Sequence, residues 1–196
     1  MKTTKRLYAN SRTPGSSIRN KRLCIVTMAN FKDSPKFVVH DDYYTPEWVW
    51  EKIKPLISTD KVIWEACMLN ATRSQSMDIW KKWGYKVVGD RTWDVLNCQV
   101  PECDIIITNP PFDTEIKKNI LKRLVQIDKP FIIIMNSLTT FSNYFHEIMD
   151  LNHTQIITPR QKLHFKKDGE EEKKQTSFYS VFVAYRMNLP NNKLFC

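Results

Sequence analysis

Cys103-Asp104-Ile105-Ile106-Ile107-Thr108-Asn109-Pro110-Pro111-Phe112 is the stretch on which the fold of this chain turns. Three consecutive isoleucines without polar alternation predict a strand from Cys103 to Thr108 that is buried on both faces, as in a parallel sheet. The prolines end it, because neither has an N–H to give to a ladder. On the amino-terminal side, Pro46 to Ile57 reads as a helix, with Thr45 as N-cap and Pro46 in the first helical position. Lys61 to Glu65 is a short strand. Ser74 to Trp83 is a helix ended by Gly84, and Tyr85 to Gly89 is a second strand. On the carboxyl side, Ile116 to Ile127 is an amphipathic helix, with Ile116, Ile120, Leu121, Leu124 and Ile127 on its apolar face. Phe131 to Met135 is another continuous apolar strand, and Phe141 to Met149 is helical. Thr154 to Thr158 and Ser177 to Tyr185 are the last strands, separated by a charged loop from Lys166 to Thr176. Strands alternating with helices predict an α/β fold: a doubly wound, mostly parallel sheet with helices on both faces. The loop between the last two strands is too short for a crossover helix, so one strand must run antiparallel.

Composition narrows the function classes. A chain of 196 residues, 42% of them hydrophobic, suits one domain. No apolar run approaches the roughly 18 residues needed to cross a bilayer, so a cytoplasmic protein with no membrane partner is expected. The five cysteines have no paired spacing, and His40, His146, His153 and His164 have no ligand spacing, so no metal site is expected. Cys67 and Cys103 read as small buried residues beside strands. A phosphate-binding glycine loop and a Ser-His-Asp arrangement are both missing.

The net charge of +9 is unevenly placed. Lys2, Lys5, Arg6, Arg12, Arg19, Lys21, Arg22 and Lys32 are all the charged residues of the first 32 positions, and the rest of the chain is nearly neutral. Residues 1–36 therefore read as a basic N-terminal arm, with Leu23 to Met28 able to add a short strand, and residues 37–196 as the folded domain. A basic arm attracts polyanions, above all nucleic acid; a solvated tail is the plain alternative.

Asn109-Pro110-Pro111-Phe112 stands where open α/β sheets bind ligands, at the carboxyl end of a buried strand. Its residue types suit chemistry on an exocyclic amine. Such a nitrogen is a poor nucleophile because its lone pair is delocalised into the ring. Acceptors that hold its N–H groups favour a more tetrahedral nitrogen and stabilise the developing charge. Asn109 supplies a side-chain carbonyl, Pro110 a backbone carbonyl, and Pro111 stiffens the turn. Phe112 offers a ring for stacking on an extruded base, or a packed anchor for the turn. Ser137 and Thr139, after the fifth strand, are candidates for lining the target pocket or for capping.

These residues resemble motif IV of N6-adenine methyltransferases. Asp42-Tyr43-Tyr44-Thr45-Pro46 is similar to a segment of the small phage-type and viral enzymes that helps bind the methionine part of the cofactor. Ile63-Trp64-Glu65-Ala66-Cys67 resembles the first-strand motif. Asp90 stands where the family's acidic residue holds the ribose hydroxyls, and Asp94-Val95-Leu96 resembles the segment near the cofactor adenine. Arg160 to Phe165 and Ser177 to Phe182 resemble the final strands. The likeness covers roughly residues 41–186.

The resemblance implies a Rossmann-like class I methyltransferase with a mostly parallel seven-stranded sheet and one antiparallel strand. It implies S-adenosylmethionine as cofactor, bound by Tyr44, Thr45, Pro46, Glu65, Cys67, Asn70, Asp90 and Asp94. Asn109, Pro110, Pro111 and Phe112 would be catalytic, and the substrate would be adenine N6 in DNA, or in RNA. No separate target-recognition domain fits, so specificity would come from short loops, the arm, or a partner subunit or second copy. One departure stands out: the family's cofactor loop is rich in glycine, whereas Glu65-Ala66-Cys67-Met68-Leu69-Asn70-Ala71 has none. This leaves a catalytically degenerate nucleic-acid-binding or partner subunit as an alternative. Methylation of a protein glutamine amide, which uses a similar turn, is another.

Overall fold

The computed structural model describes residues 43–68, 75–167 and 178–190. The basic arm with its lysines and arginines, and Asn70, lie outside the described residues. The elements in chain order are β1 (Tyr43–Tyr44), α1 (Glu47–Glu51), β2 (Val62–Trp64), α2 (Gln75–Lys82), β3 (Lys86–Val88), β4 (Ile105–Thr108), α3 (Thr114–Ile127), β5 (Phe131–Asn136), α4 (Asn143–Ile148), β6 (Thr154–Ile157), β7 (Lys166–Lys167) and β8 (Ser180–Tyr185).

Six strands form one sheet in the order β3-β2-β4-β5-β8-β6, while β1 and β7 pair separately. β3, β2, β4 and β5 are parallel, and β8 runs antiparallel to both β5 and β6. This is the expected Rossmann-like α/β sheet, with six strands among the described residues rather than seven. Between Asp90 and Cys103, where a further edge strand would lie, the chain makes turns. Asp90 and Asp94 hold them, accepting from the backbone N–H groups of Thr92 and Leu96.

The isoleucine run explains how the sheet is covered. Alternate side chains of a strand face opposite sides, and each side meets its own helices. Ile105 and Ile107 join Ile63, Ile132, Ile134, Phe182 and Ala184 in a core with Val49, Trp50 and Ile53 of the α1 region and Trp80 of α2. Ile106 joins Trp64, Phe131, Ile133, Met135, Val181 and Val183 in a second core with Ile120, Leu121 and Leu124 of α3 and Phe145 of α4. Across the antiparallel β5–β8 pair, the partnered Phe131 and Tyr185 stack at 4.9 Å between ring centroids.

Several boundaries differ from expectation. The helix foreseen over Pro46 to Ile57 ends as an α-helix at Glu51 and resumes as a 3-10 turn at Lys54–Leu56. Pro55 is the cause: it lacks an N–H and its ring clashes with the carbonyl four residues earlier, at Glu51. Thr45 does not cap α1, since Pro46 occupies the N-cap position with no side-chain bond. Phe141 to Met149 divides into a 3-10 turn over Ser137–Phe141 and the shorter α4. α3 starts two residues early because the Asp113 carboxylate accepts from the N–H groups of Glu115 and Ile116.

Phe182 is fully buried in a central strand, whereas Phe141 is 78% exposed. Phe182→Ala should therefore cost about 3–5 kcal/mol of stability in urea unfolding. Phe141→Ala should stay within about 0.5 kcal/mol of wild type.

Candidate active site

The parallel strands β2 and β4 are neighbours, so their carboxyl ends deliver Glu65 and Asn109 to the same edge of the sheet. Glu65 is 4% exposed. The buried Thr108 hydroxyl donates to Glu65 Oε1. The Cys67 N–H reaches both Thr108 Oγ1, at 3.1 Å, and Glu65 Oε1, at 3.3 Å. No cation reaches this carboxylate among the described residues. Burial accordingly raises the Glu65 pKa to about 7, against the lowering effect of its two hydrogen bonds. The Cys67 thiol is pushed up to about 12, also chiefly by burial. Cys67 is half-buried rather than fully buried as expected, whereas Cys103 is buried.

Asn109 follows β4. Its Nδ2 donates to Thr45 Oγ1 at 3.1 Å, which ties the turn to the start of α1. The other end of the amide is unusual: Asn109 Oδ1 is buried and has no hydrogen-bond partner. A buried acceptor without a donor costs on the order of 1–3 kcal/mol, so it invites an N–H from outside the chain. Pro110 is buried, and Pro111 is half-buried. The Phe112 ring packs against Tyr43, Phe165 and Phe178 at centroid distances of 6.0, 5.8 and 5.1 Å. It serves as an anchor of the turn, the packed role weighed above beside base stacking.

The other candidate residues are distributed as follows. Tyr44 is half-buried and pairs with Lys166 through the β1–β7 ladder, next to the buried Thr45. Pro46 opens α1. Asp90 is exposed just beyond β3, and hydrogen bonds from Thr92 to its carboxylate hold its pKa low. Asp94 is half-buried and commits its carboxylate to its own turn, accepting from Leu96 N–H and from Asn97 Nδ2 at 2.6 Å. The structure thus forms two hydrogen-bonded groups, Glu65 with Thr108 and Cys67, and Asn109 with Thr45, which meet where Asn109 follows Thr108 in the chain. It leaves Asp90 and Asp94 on the turns beyond the adjoining strand.

The glycine-free loop is relieved at a neighbouring position. Met68 is buried, and its sulfur would lie 3.0 Å from a Cβ placed on Gly89. The Glu65 carbonyl would lie 2.6 Å from the same Cβ, and Gly89 has φ +151. Only glycine fits so close an approach. Met68 therefore packs beside Gly89 and Met77, at the carboxyl end of β3.

Two contributors escaped the sequence reading. Thr108 looked like the last residue of a strand, with nothing to mark its hydroxyl as the link between Glu65 and Cys67. Lys117 is 6% exposed, and its Nζ donates to the Phe112 carbonyl at 3.4 Å, bracing the turn from α3. Its signal was present: Lys117 stands three and four residues before Ile120 and Leu121, on the buried face.

No family model and no curated protein sequence matches the chain. Among solved structures it is similar to a dimethyladenosine transferase from Plasmodium falciparum, at 11% identity and a TM-score of 0.41, over 73% of this chain. The chain spans 61% of the length of that protein. The fold class rests on the strand order itself. No described helix is long and apolar enough to cross a membrane.

The raised Glu65 pKa has a thermodynamic consequence. Below about pH 4.5 the carboxyl is protonated in both folded and unfolded chains. Between there and about 7 only the folded chain keeps the proton, so stability falls as pH rises. Glu65→Gln should remove on the order of 3 kcal/mol of that decline. Urea titrations at pH 5 and pH 8 would check this, and equal slopes in both proteins would contradict it.

Proposed function

We propose that the chain is an S-adenosylmethionine-dependent methyltransferase acting on an exocyclic amine, adenine N6 in DNA or RNA. One observation carries this reading: the buried, unpartnered Oδ1 of Asn109, on a double-proline turn at the carboxyl end of a parallel strand. Thr45 holds the amide by its nitrogen end, so the oxygen is aimed before any substrate arrives. An amine N–H donating to that oxygen, and a second to the Pro110 carbonyl, would draw the nitrogen lone pair out of the ring.

The residues present fit the cofactor. Glu65 is a buried carboxylate with hydrogen-bond donors but no cation, so an ammonium group would balance its charge. Asp90 presents a carboxylate at the end of the adjoining strand, as hydroxyl recognition requires. The cofactor supplies a methyl group on a sulfonium, a strong electrophile. The chain's own part is to present the amine in line, hold its hydrogens through Asn109 and keep the turn rigid through Pro110, Pro111, the Phe112 anchor and Lys117. The proton that the methylated nitrogen must shed would pass to solvent water, since the Asn109 and Pro110 carbonyls accept hydrogen bonds but are too weakly basic to keep it.

Two experiments test the proposal. Calorimetry with S-adenosylmethionine should show binding that tightens from pH 6 to pH 8 as Glu65 ionises. With labelled cofactor and adenine-containing oligonucleotides, Asn109→Ala should lower kcat by about 10²–10³-fold while changing cofactor Kd little. Parallel loss of both would refute the role given to Asn109.

The basic arm belongs to the same reading as a nucleic-acid contact made by Lys2, Lys5, Arg6, Arg12, Arg19, Lys21 and Arg22. Deleting residues 1–32 should weaken oligonucleotide binding and flatten its dependence on salt. An unchanged salt slope would rule the contact out.

A further inference from the structure

The rim beside the catalytic turn carries large apolar side chains that the fold does not use. Leu138, Phe141 and Tyr179 are 72%, 78% and 65% exposed. Their location follows from register. Thr108, the last residue of β4, is level with Ile133 of β5. β5 continues to Asn136, so it projects about 10 Å farther toward the same edge. Ser137 to Phe141 then turn on top of it, and the Ser137 N–H donates to the Tyr179 carbonyl at 2.8 Å. The three side chains therefore belong to the wall that rises beside Asn109.

A basic segment links that wall to the catalytic turn. Residues 154–167 contain Arg160, Lys162, Lys166 and Lys167 and no acidic residue. At one end, Lys162 Nζ lies 4.6 Å from the centre of the Tyr179 ring. At the other, Lys166 is paired with Tyr44, adjacent to the Thr45 that holds Asn109. The acid-free character extends to the rim, since residues 136–146 and 178–187 also lack Asp and Glu. Exposed rings interleaved with cations match a nucleic-acid strand, whose bases stack and whose phosphates need countercharge; the acidic run Asp168 to Glu172 follows this segment in sequence.

We propose that this strip, from Tyr44 and Lys166 through Lys162 to Tyr179 and Phe141, is the track for the strand that carries the target base. The neighbouring bases stack on Tyr179 and Phe141, and the phosphates lie along Arg160, Lys162 and Lys166. Lys162 sits against the Tyr179 ring and leaves the ring's exposed surface to a base. This rests on the reading of the site as a nucleic-acid methyltransferase, and it locates substrate contacts within the folded domain, apart from the arm.

The test uses the full chain and fluorescein-labelled single strands of about 20 nucleotides, DNA and RNA in separate arms, read by anisotropy. The double variant Phe141→Ala, Tyr179→Ala should raise Kd at least about 30-fold, from about 5-fold or more for each ring. The triple variant Arg160→Ala, Lys162→Ala, Lys166→Ala should reduce the slope of log affinity against log salt by about 2. No measurable wild-type binding to either strand, an unchanged Kd in the aromatic variant, or an unchanged salt slope in the basic variant would overturn the proposal. Labelled methyl transfer is read on the same samples. Transfer by wild type with binding indifferent to these residues would sink the track and leave the enzyme. Binding that depends on them without any transfer would sink the enzyme and leave the track.

Discussion

The hydrogen bond from Thr108 to Glu65 is the constraint around which the site is arranged. It joins the ends of two adjacent parallel strands and fixes a carboxylate where water is excluded. Without the hydroxyl and the Cys67 N–H, that carboxylate would face an apolar interior with nothing to stabilise its charge. The same bond sets the exit of β4, and so the position of the next residue, Asn109. Thr45 completes the alignment from a different part of the chain, 64 residues away in sequence. These few hydrogen bonds determine where the double-proline turn points.

The sheet makes that network possible by being covered on both faces. Because α1 and α2 close one side and α3 and α4 the other, the central strands are uniformly apolar until their last residues. Polarity then begins abruptly at Glu65, Thr108 and Asn109, all at one edge. β8, running against its neighbours, starts at this edge and adds Tyr179 to it. The polar strand ends and the exposed rings share a border because the strand ends share one.

Much of this was legible in the sequence because it depends on local pattern. The isoleucine run, the two prolines after it and the 3.6-residue spacing of α3 each dictate structure within a few positions, and the parallel sheet with a reversed strand follows from them. What escaped depends on distant partners. Nothing near Thr108 announces that its hydroxyl will meet a glutamate 43 residues earlier. Thr45 looked like a helix cap because Pro46 follows it, yet its hydroxyl bonds to Asn109. Pro55 should have shortened the first helix, and the apolar pattern around it concealed this. The turns described between Asp90 and Cys103, where a strand was expected, have a similar origin: two aspartates with amide and hydroxyl neighbours favour turns over an edge strand.

Gly89 shows where the demand for closeness has moved. A loop without glycine at the end of β2 keeps its side chains, and Met68 takes up room that a smaller residue would have left open. The room for that sulfur, and for the Glu65 carbonyl, is provided on the next strand by a residue with no side chain at all. Relatives of this chain that keep the bulky loop should find position 89 almost immutable. Regaining glycine after β2 would free only the Met68 side of that contact; the Glu65 carbonyl and the φ of +151 would still hold position 89 to glycine.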